Sequence, residues 1–98
     1  MIVTLRPPAE SDVDNAVSFY HLISQALGHA FLDQLRDALK LIESNPELYQ
    51  RVHPRIRRGL TRRFPFAIYY AVEQSHVDVI AILHTARSPR VWRSEERL

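Results

Sequence analysis

The apolar residues of this chain change their spacing near its midpoint, and this change constrains the fold most. In residues 10–26 apolar side chains recur every three or four positions, and a second such stripe runs from Phe31 to Ile42. This spacing puts them on one side of a helix and predicts two amphipathic helices. Gly28 interrupts the pattern, and Asn45-Pro46 ends the second helix near Ser44, because proline cannot continue a helix. The two helices are expected to form an antiparallel hairpin.

Three runs with strand character follow, at residues 56–63, 66–73 and 77–84, and a short β-branched run, Ile2 to Leu5, precedes the helices. The short connections predict that the three later strands are antiparallel neighbours. At 98 residues the chain has room for one hydrophobic core. We therefore predict a single domain, residues 1–98, of the α+β class. It has an N-terminal strand, an α-helical hairpin and a three-stranded antiparallel meander, with the helices packed on one face of the sheet.

Charge is distributed unevenly along the chain. Residues 1–50 contain three basic and seven acidic residues, whereas residues 51–98 contain ten basic and four acidic residues. Twelve of the thirteen basic residues are arginines, whose planar guanidinium group suits phosphate and carboxylate. An acidic helical half and a basic sheet half are typical of a protein that meets a polyanion or an acidic partner with one side.

Several classes of chemistry and of location are excluded by composition. The chain contains no cysteine, so it has no disulfide, no thiolate zinc site and no cysteine nucleophile. The N-terminus lacks the pattern of a signal peptide, and no apolar run is long enough to span a bilayer. We therefore expect a soluble protein of the cytoplasm.

The second half carries short motifs in a characteristic order. They are Arg63-Phe64-Pro65-Phe66, then Ile68 to Val72, then Ile82-Leu83-His84 followed by Arg87. Together with the preceding strand and helix pair, this order resembles the RelE/ParE superfamily of type II toxins, and specifically its ParE-like branch. The resemblance extends over essentially the whole chain.

The resemblance implies a toxin, or plasmid stabilisation protein, that is neutralised by a cognate antitoxin, either ParD-like or another small antitoxin. The two branches of the superfamily differ in activity. RelE-like members cut mRNA on the ribosome, whereas ParE-like members poison DNA gyrase without being nucleases. The ParE-like branch therefore implies a non-enzymatic gyrase inhibitor that needs no cofactor. A third alternative is an inactive homologue that keeps only antitoxin binding.

The nuclease alternative can be tested against the residues. Attack by a 2′-hydroxyl needs a base, an acid for the leaving oxygen and cations for the charged phosphorane. The candidates for these roles are His84, Arg63 and Arg87. RelE-like nucleases usually place a tyrosine after the last strand, but this chain has Trp92 there, and indole is a hydrogen-bond donor only. A histidine at the end of a strand is more often structural, so we predict no catalytic residue.

The candidate binding residues are cations and aromatics of the basic half. We expect them to contact a partner or target, although a charged strand is commonly only a solvated edge. Tyr69 is predicted to lie on the face opposite the helices, where with Ala67 and Ala71 it either forms a groove for an antitoxin segment or belongs to the core. The full set is Arg57, Arg58, Arg62, Arg63, Tyr69, Arg87, Arg90 and Trp92.

The helical hairpin carries more apolar residues than its two stripes need. Phe19, Leu22, Leu32 and Leu41 lie off the stripes, and such a surplus predicts a surface for the antitoxin or for a second copy. The histidines outside the last strand fit no metal-ligand spacing, so no metal site is predicted. They are His21, His29, His53 and His76.

Overall fold

A computed structural model describes residues 1–94 and 97–98 of the chain. Among these residues, no helix has the length and apolar character needed to cross a membrane. The elements follow one another in the order β1 (Ile2–Leu5), α1 (Pro7–Ile23), α2 (Gln25–Ser44), β2 (Arg51–His53), β3 (Ile56–Leu60), β4 (Phe66–Val72), β5 (His76–His84) and α3 (Arg90–Arg93).

The two long helices form the predicted hairpin, but the break between them lies elsewhere. Helix α1 begins with Pro7-Pro8, where prolines are tolerated because the first amides of a helix have no helical partner. It ends before Ser24, whose side chain accepts a hydrogen bond from the Leu27 amide at 3.0 Å and so caps α2. Gly28 lies inside α2 and does not separate the helices, so its predicted role as the interruption was wrong.

The strands form one five-stranded sheet in the order β1-β5-β4-β3-β2. The antiparallel meander of β3, β4 and β5 is confirmed, while β1 joins it as a parallel neighbour of β5. Strand β2 was missed, because its three residues carry no periodic pattern that would distinguish them from a loop. The first strand of the meander also ends at Leu60, three residues earlier than predicted, because a tight loop follows it.

One face of the sheet packs against the helices, as predicted. Phe31, Leu35 and Ile42 of α2 belong to the same buried cluster as Ile68 and Tyr70 of β4. The opposite face forms a second buried cluster that includes Tyr69 and Ile80, and Trp92 of α3 covers it. Of the two alternatives for Tyr69, the structure has the second: Tyr69 belongs to a core, which the C-terminal part of the same chain covers.

A β-bulge in β5 joins the sheet to α1 and to the C-terminus. Tyr69 pairs with Ala81 and Tyr70 with Val79, which leaves Ile80 as an extra residue. Asp12 of α1 accepts a hydrogen bond from the Ile82 amide at 3.0 Å, and Arg97 donates to the Ile80 carbonyl at 3.1 Å. The same two side chains bind each other through two hydrogen bonds of 2.7 and 3.0 Å. Together they satisfy backbone groups of the bulge that no strand covers.

Candidate functional site

Exposed cations meet at one end of the sheet, where two loops lie side by side. The loop of residues 61–65 precedes β4, and the turn of residues 85–88 follows β5. The Thr85 amide donates to the Pro65 carbonyl at 2.8 Å, which ties the two loops together. We call the four exposed side chains that they present the basic end. Its members are Arg62, Arg63, His84 and Arg87.

The loop of the basic end is held in place by Thr61. Its amide donates to the Phe66 carbonyl at 3.0 Å, and its hydroxyl donates to the Phe64 carbonyl at 2.7 Å. The residue is buried, with 9% of its surface exposed, so both groups depend on these partners. The sequence analysis did not single out Thr61, because a threonine between a strand and a loop gives no signal of its own.

Arg63 has a backbone conformation that is unusual for its residue type. Its φ is +68°, and no other residue, glycines included, has a positive φ among residues 1–94 and 97–98. Side chains with a Cβ atom rarely adopt this region, and residues held there cluster at functional sites. Phe64 anchors the next position, since its ring lies 4.9 Å from the ring of Tyr20 within the core. The loop thus directs the side chain of Arg63 outward from a fixed backbone.

His84 is held at the basic end in one tautomer. Its Nδ1 accepts a hydrogen bond from the Ala86 amide at 3.0 Å, so the proton of the neutral ring is on Nε2. A general base needs an unprotonated nitrogen that is free to accept a proton. In this tautomer Nδ1 is occupied by the Ala86 amide, and Nε2 carries the proton and is therefore a donor. The ring also lies 5.6 Å from the ring of Phe66. The geometry suits a positioned donor or a structural contact.

Two buried tyrosines have raised pKa values, which makes them unsuited to proton transfer at neutral pH. Burial raises the pKa of Tyr20 above its usual value near 10. Burial likewise raises the pKa of Tyr70, although the guanidinium of Arg57 opposes this shift. Both hydroxyls therefore stay protonated near pH 7.

Arg57 and Arg58 are half-buried and make contacts within the protein. Arg57 donates to the carbonyls of Tyr49 at 2.7 Å and Glu47 at 3.2 Å, so it ties β3 to the segment after α2. Arg58 donates to the hydroxyl of Tyr69 at 3.2 Å on the opposite face of the sheet. Their guanidinium groups are thus engaged, whereas those of Arg62, Arg63 and Arg87 are exposed.

The two aromatic residues of the predicted binding set pack on each other. The rings of Tyr69 and Trp92 are stacked, with centroids 4.9 Å apart and planes inclined by 18°. Only 3% of Trp92 is exposed, so its indole is not presented to a nucleobase. Arg93 lies over the Trp92 ring at 4.9 Å, and Arg90 is exposed at the start of α3. Of these four residues, the two arginines are exposed and the two aromatic residues are buried.

A shallow depression of about 160 Å³ adjoins the basic end. Asp12, Asn15, His84 and Arg87 line it, and Phe66 contributes an apolar wall. Arg87 offers a cation and Asn15 a neutral donor here, while the carboxylate of Asp12 is paired with Arg97. Among residues 1–94 and 97–98, no three or more histidine, cysteine or acidic residues are grouped as metal ligands.

Comparison with known proteins identifies the family of the chain. No curated protein matches it in sequence. A solved structure described as the chromosomal ParDE TA system from P. aeruginosa is similar, with a TM-score of 0.75 and 18% sequence identity, over 86% of this chain and 95% of that chain. At this identity the likeness shows the fold. The family model for the ParE toxin of the type II toxin-antitoxin system parDE matches residues 3–89. Since this match spans most of the chain, the protein belongs to the ParE toxin family of type II toxin-antitoxin systems.

Proposed function

We propose that this ParE family member inhibits DNA gyrase by binding to it, cuts no nucleic acid itself, and is neutralised by a cognate antitoxin. Gyrase acts on chromosomal and plasmid DNA, so the proposal places the toxin in the cytoplasm. The family membership supports the toxin role, and the ParDE name of the similar structure supports an antitoxin partner. The choice between binding and cleavage depends on the chemistry of the basic end.

The state of His84 is the observation that carries this choice. An RNA-cleaving site needs a group that accepts a proton and a group that returns one. His84 supplies the imidazole of the basic end, and its Nδ1 already accepts a hydrogen bond from the Ala86 amide. Tyr20 and Tyr70 are buried, and their pKa values are raised. The other members of the basic end are arginines, which bind and orient anions without transferring protons.

The basic end also has the character of a binding surface. Its backbone is held by the buried Thr61 and the anchored Phe64, so little conformational freedom is lost when a partner binds. Exposed arginines on such a frame favour a partner that carries carboxylates or phosphates. We propose that Arg62, Arg63 and Arg87 contact gyrase or the DNA bound to it.

A gyrase assay with matched variants tests this proposal. Purified toxin, gyrase and supercoiled plasmid should accumulate cleaved DNA, and the antitoxin in excess should prevent this. The double variant Arg62→Ala/Arg63→Ala should require at least about tenfold more protein for the same effect, as expected when interface arginines are removed. Arg36→Ala is the matched control, since Arg36 is also exposed but lies on α2 beside Asp33.

Three results would contradict the proposal. Folded toxin that leaves gyrase unaffected would overturn the proposal for the gyrase tested. Ribosome-dependent mRNA cleavage that is lost in a folded His84→Ala variant would replace it with the nuclease alternative. Binding of the antitoxin without any growth arrest on expression of the toxin alone would identify an inactive homologue.

A further inference from the structure

A second group of arginines lines a cleft at the end of the sheet opposite the basic end. Strands β3 and β4 are antiparallel, so the start of β3 lies beside the end of β4 and away from the loop of residues 61–65. A cleft of about 200 Å³ lies at this place. We call it the arginine cleft. The charged residues that line it are Glu47, Arg51, Arg55 and Arg57.

Two of these arginines stand directly opposite each other. Arg51 of β2 is the cross-strand partner of Arg57 in β3. Side chains directly opposite in antiparallel strands lie close together on one face, and like charges at such positions destabilise the sheet. Within the part of the chain that the structure describes, neither arginine forms an ion pair with a carboxylate. An anion bound between the two guanidinium groups would replace their repulsion with attraction.

The guanidinium of Arg57 is held in position with part of its donors unused. Its Nη1 donates both to the Tyr49 carbonyl at 2.7 Å and to the Glu47 carbonyl at 3.2 Å. Among residues 1–94 and 97–98, its Nε and Nη2 donate to no other group. These two nitrogens lie on one side of the planar guanidinium and fit two oxygens of the same anion. Arg57 is thus arranged as a fixed anion ligand.

Arg55 adds a third cation from the turn between β2 and β3. Its Nη2 lies 3.8 Å from a carboxylate oxygen of Glu73, and its side chain is 77% exposed. An exposed ion pair of this kind contributes little to stability, so the guanidinium is available to a ligand in the cleft. Arg57 was predicted to bind a partner, but its link to Arg51 was not predicted, because β2 was missed.

The charge of the opposed pair favours a phosphate group over a carboxylate. Arg51 and Arg57 offer two positive charges, and a carboxylate or a phosphate diester neutralises only one of them. A phosphate held by a single ester bond carries a charge of roughly −1.5 to −2 near pH 7 and has three strong acceptor oxygens. Its oxygens can therefore accept from both guanidinium groups at once.

We propose that the arginine cleft binds a phosphate monoester, with Arg51 and Arg57 as its direct ligands and Arg55 at the rim. The group recognised is the phosphate itself, whether it is carried by a nucleotide or by the phosphorylated end of a nucleic acid. This site is separate from the basic end, so it does not depend on the proposed inhibition of gyrase.

Calorimetric titration of the purified chain in a phosphate-free buffer tests the proposal. AMP should bind saturably with one molecule per chain, and adenosine, which has no phosphate, should not bind. Cyclic AMP keeps the nucleoside but carries a diester with one charge, so it should bind roughly tenfold or more weakly than AMP. Inorganic phosphate, and an oligonucleotide with and without a terminal phosphate, distinguish the possible sources of the group.

Arg51→Ala separates ligand binding from folding, because Arg51 is exposed and its removal relieves the opposed charges. Without ligand, its melting temperature should equal or exceed that of the original chain. Its affinity for AMP should fall about tenfold or more, as expected when a hydrogen bond between charged groups is lost. Arg51→Lys keeps the charge without the planar fork and should lose less. Arg36→Ala removes the same charge from α2 and should bind AMP normally.

Five results would overturn the proposal. Failure of every phosphate compound to bind saturably would remove the site, and equal affinity for AMP and cyclic AMP would remove the preference for a monoester. Equal losses in Arg51→Ala and Arg36→Ala would reduce the effect to net charge. Weaker binding in Arg62→Ala/Arg63→Ala would move the ligand to the basic end. Tighter binding of a glutamate-rich peptide than of any phosphate compound would identify an acidic protein partner instead.

Discussion

At the scale of single residues, a substitution at Arg63 can test stability and gyrase inhibition separately. Its φ of +68° is accessible to glycine without steric cost. We expect Arg63→Gly to leave the free energy of unfolding within about 1 kcal/mol of the original value, because relief of strain offsets the greater freedom of the unfolded chain. Gyrase inhibition should nevertheless fall.

Urea denaturation and the gyrase assay on the same preparation measure the two effects. Arg36→Gly is an unsuitable control, because it would place glycine inside a helix, so Arg36→Ala serves instead. Loss of several kcal/mol of stability in Arg63→Gly would contradict the assignment of strain to this residue. Full inhibition would remove its side chain from the proposed contact surface.

Thr61 is expected to act through its hydroxyl. Thr61→Val keeps the shape of the side chain but removes the donor to the Phe64 carbonyl and leaves that carbonyl without this partner. The free energy of unfolding should fall by about 1–3 kcal/mol, the usual cost of leaving a buried polar group without its hydrogen bond. Thr61→Ser retains the hydroxyl and should lose less. Equal losses in the two variants, measured by thermal or urea unfolding, would assign the effect to packing instead.

At the scale of elements, Tyr70 connects β4 to the segment that follows α2. Its hydroxyl donates to the Pro46 carbonyl at 2.8 Å, and its ring is fully buried. Tyr70→Phe should lower the free energy of unfolding by about 1 kcal/mol near pH 7, because it removes one hydrogen bond while keeping the ring. Urea titration of both proteins under identical conditions gives this difference.

Tyr70, together with Tyr20, should make the free energy of unfolding fall as the pH rises into the alkaline range. Burial raises the pKa of Tyr70 and of Tyr20 in the folded protein above the usual value near 10. Above about pH 10 the unfolded chain therefore releases protons that the folded protein keeps, and folding becomes less favourable as pH rises. The decline above about pH 10 should be shallower in Tyr70→Phe than in the original protein. An identical pH dependence in both would contradict the contribution of Tyr70.

At the scale of the whole molecule, Asp12 and Arg97 join elements from both ends of the chain. The pair links α1 to the C-terminus and to the bulge in β5, and its side chains are only 9% and 15% exposed. Asp12→Ala should destabilise the protein by about 3–5 kcal/mol, since it leaves a buried guanidinium without its carboxylate. The measurement is chemical denaturation of the variant and of the original chain.

A double-mutant cycle distinguishes the ion pair from the other contacts of Asp12. Asp12→Asn keeps an acceptor for the Ile82 amide and should lose less stability than Asp12→Ala. Removing Arg97 as well should cost little more than removing Asp12 alone, because the two losses overlap. Fully additive losses would show that the two side chains act independently.

Much of the fold was predictable because buried apolar residues recur at a fixed spacing along the sequence of a helix or a strand. The apolar stripes of residues 10–26 and of Phe31 to Ile42 predicted the hairpin, and the alternation that put Tyr69 opposite the helices predicted which face of β4 meets them. The short motifs around Arg63 and His84 indicated the superfamily, which the family match confirms for the ParE branch. These features depend on residues that are close in sequence.

The chain by itself thus determined the helical hairpin, the antiparallel meander, the helix-facing side of the sheet and the family, while the tertiary structure decided how distant residues meet. Asp12 and Arg97 are 85 positions apart, and Trp92 reaches Tyr69 only because α3 folds back over the sheet. The pairing of His21 with His29 likewise requires the hairpin to close. Such contacts produce no regular spacing in the sequence, because they depend on the relative placement of whole elements. They also decide which arginines and histidines remain accessible to a partner.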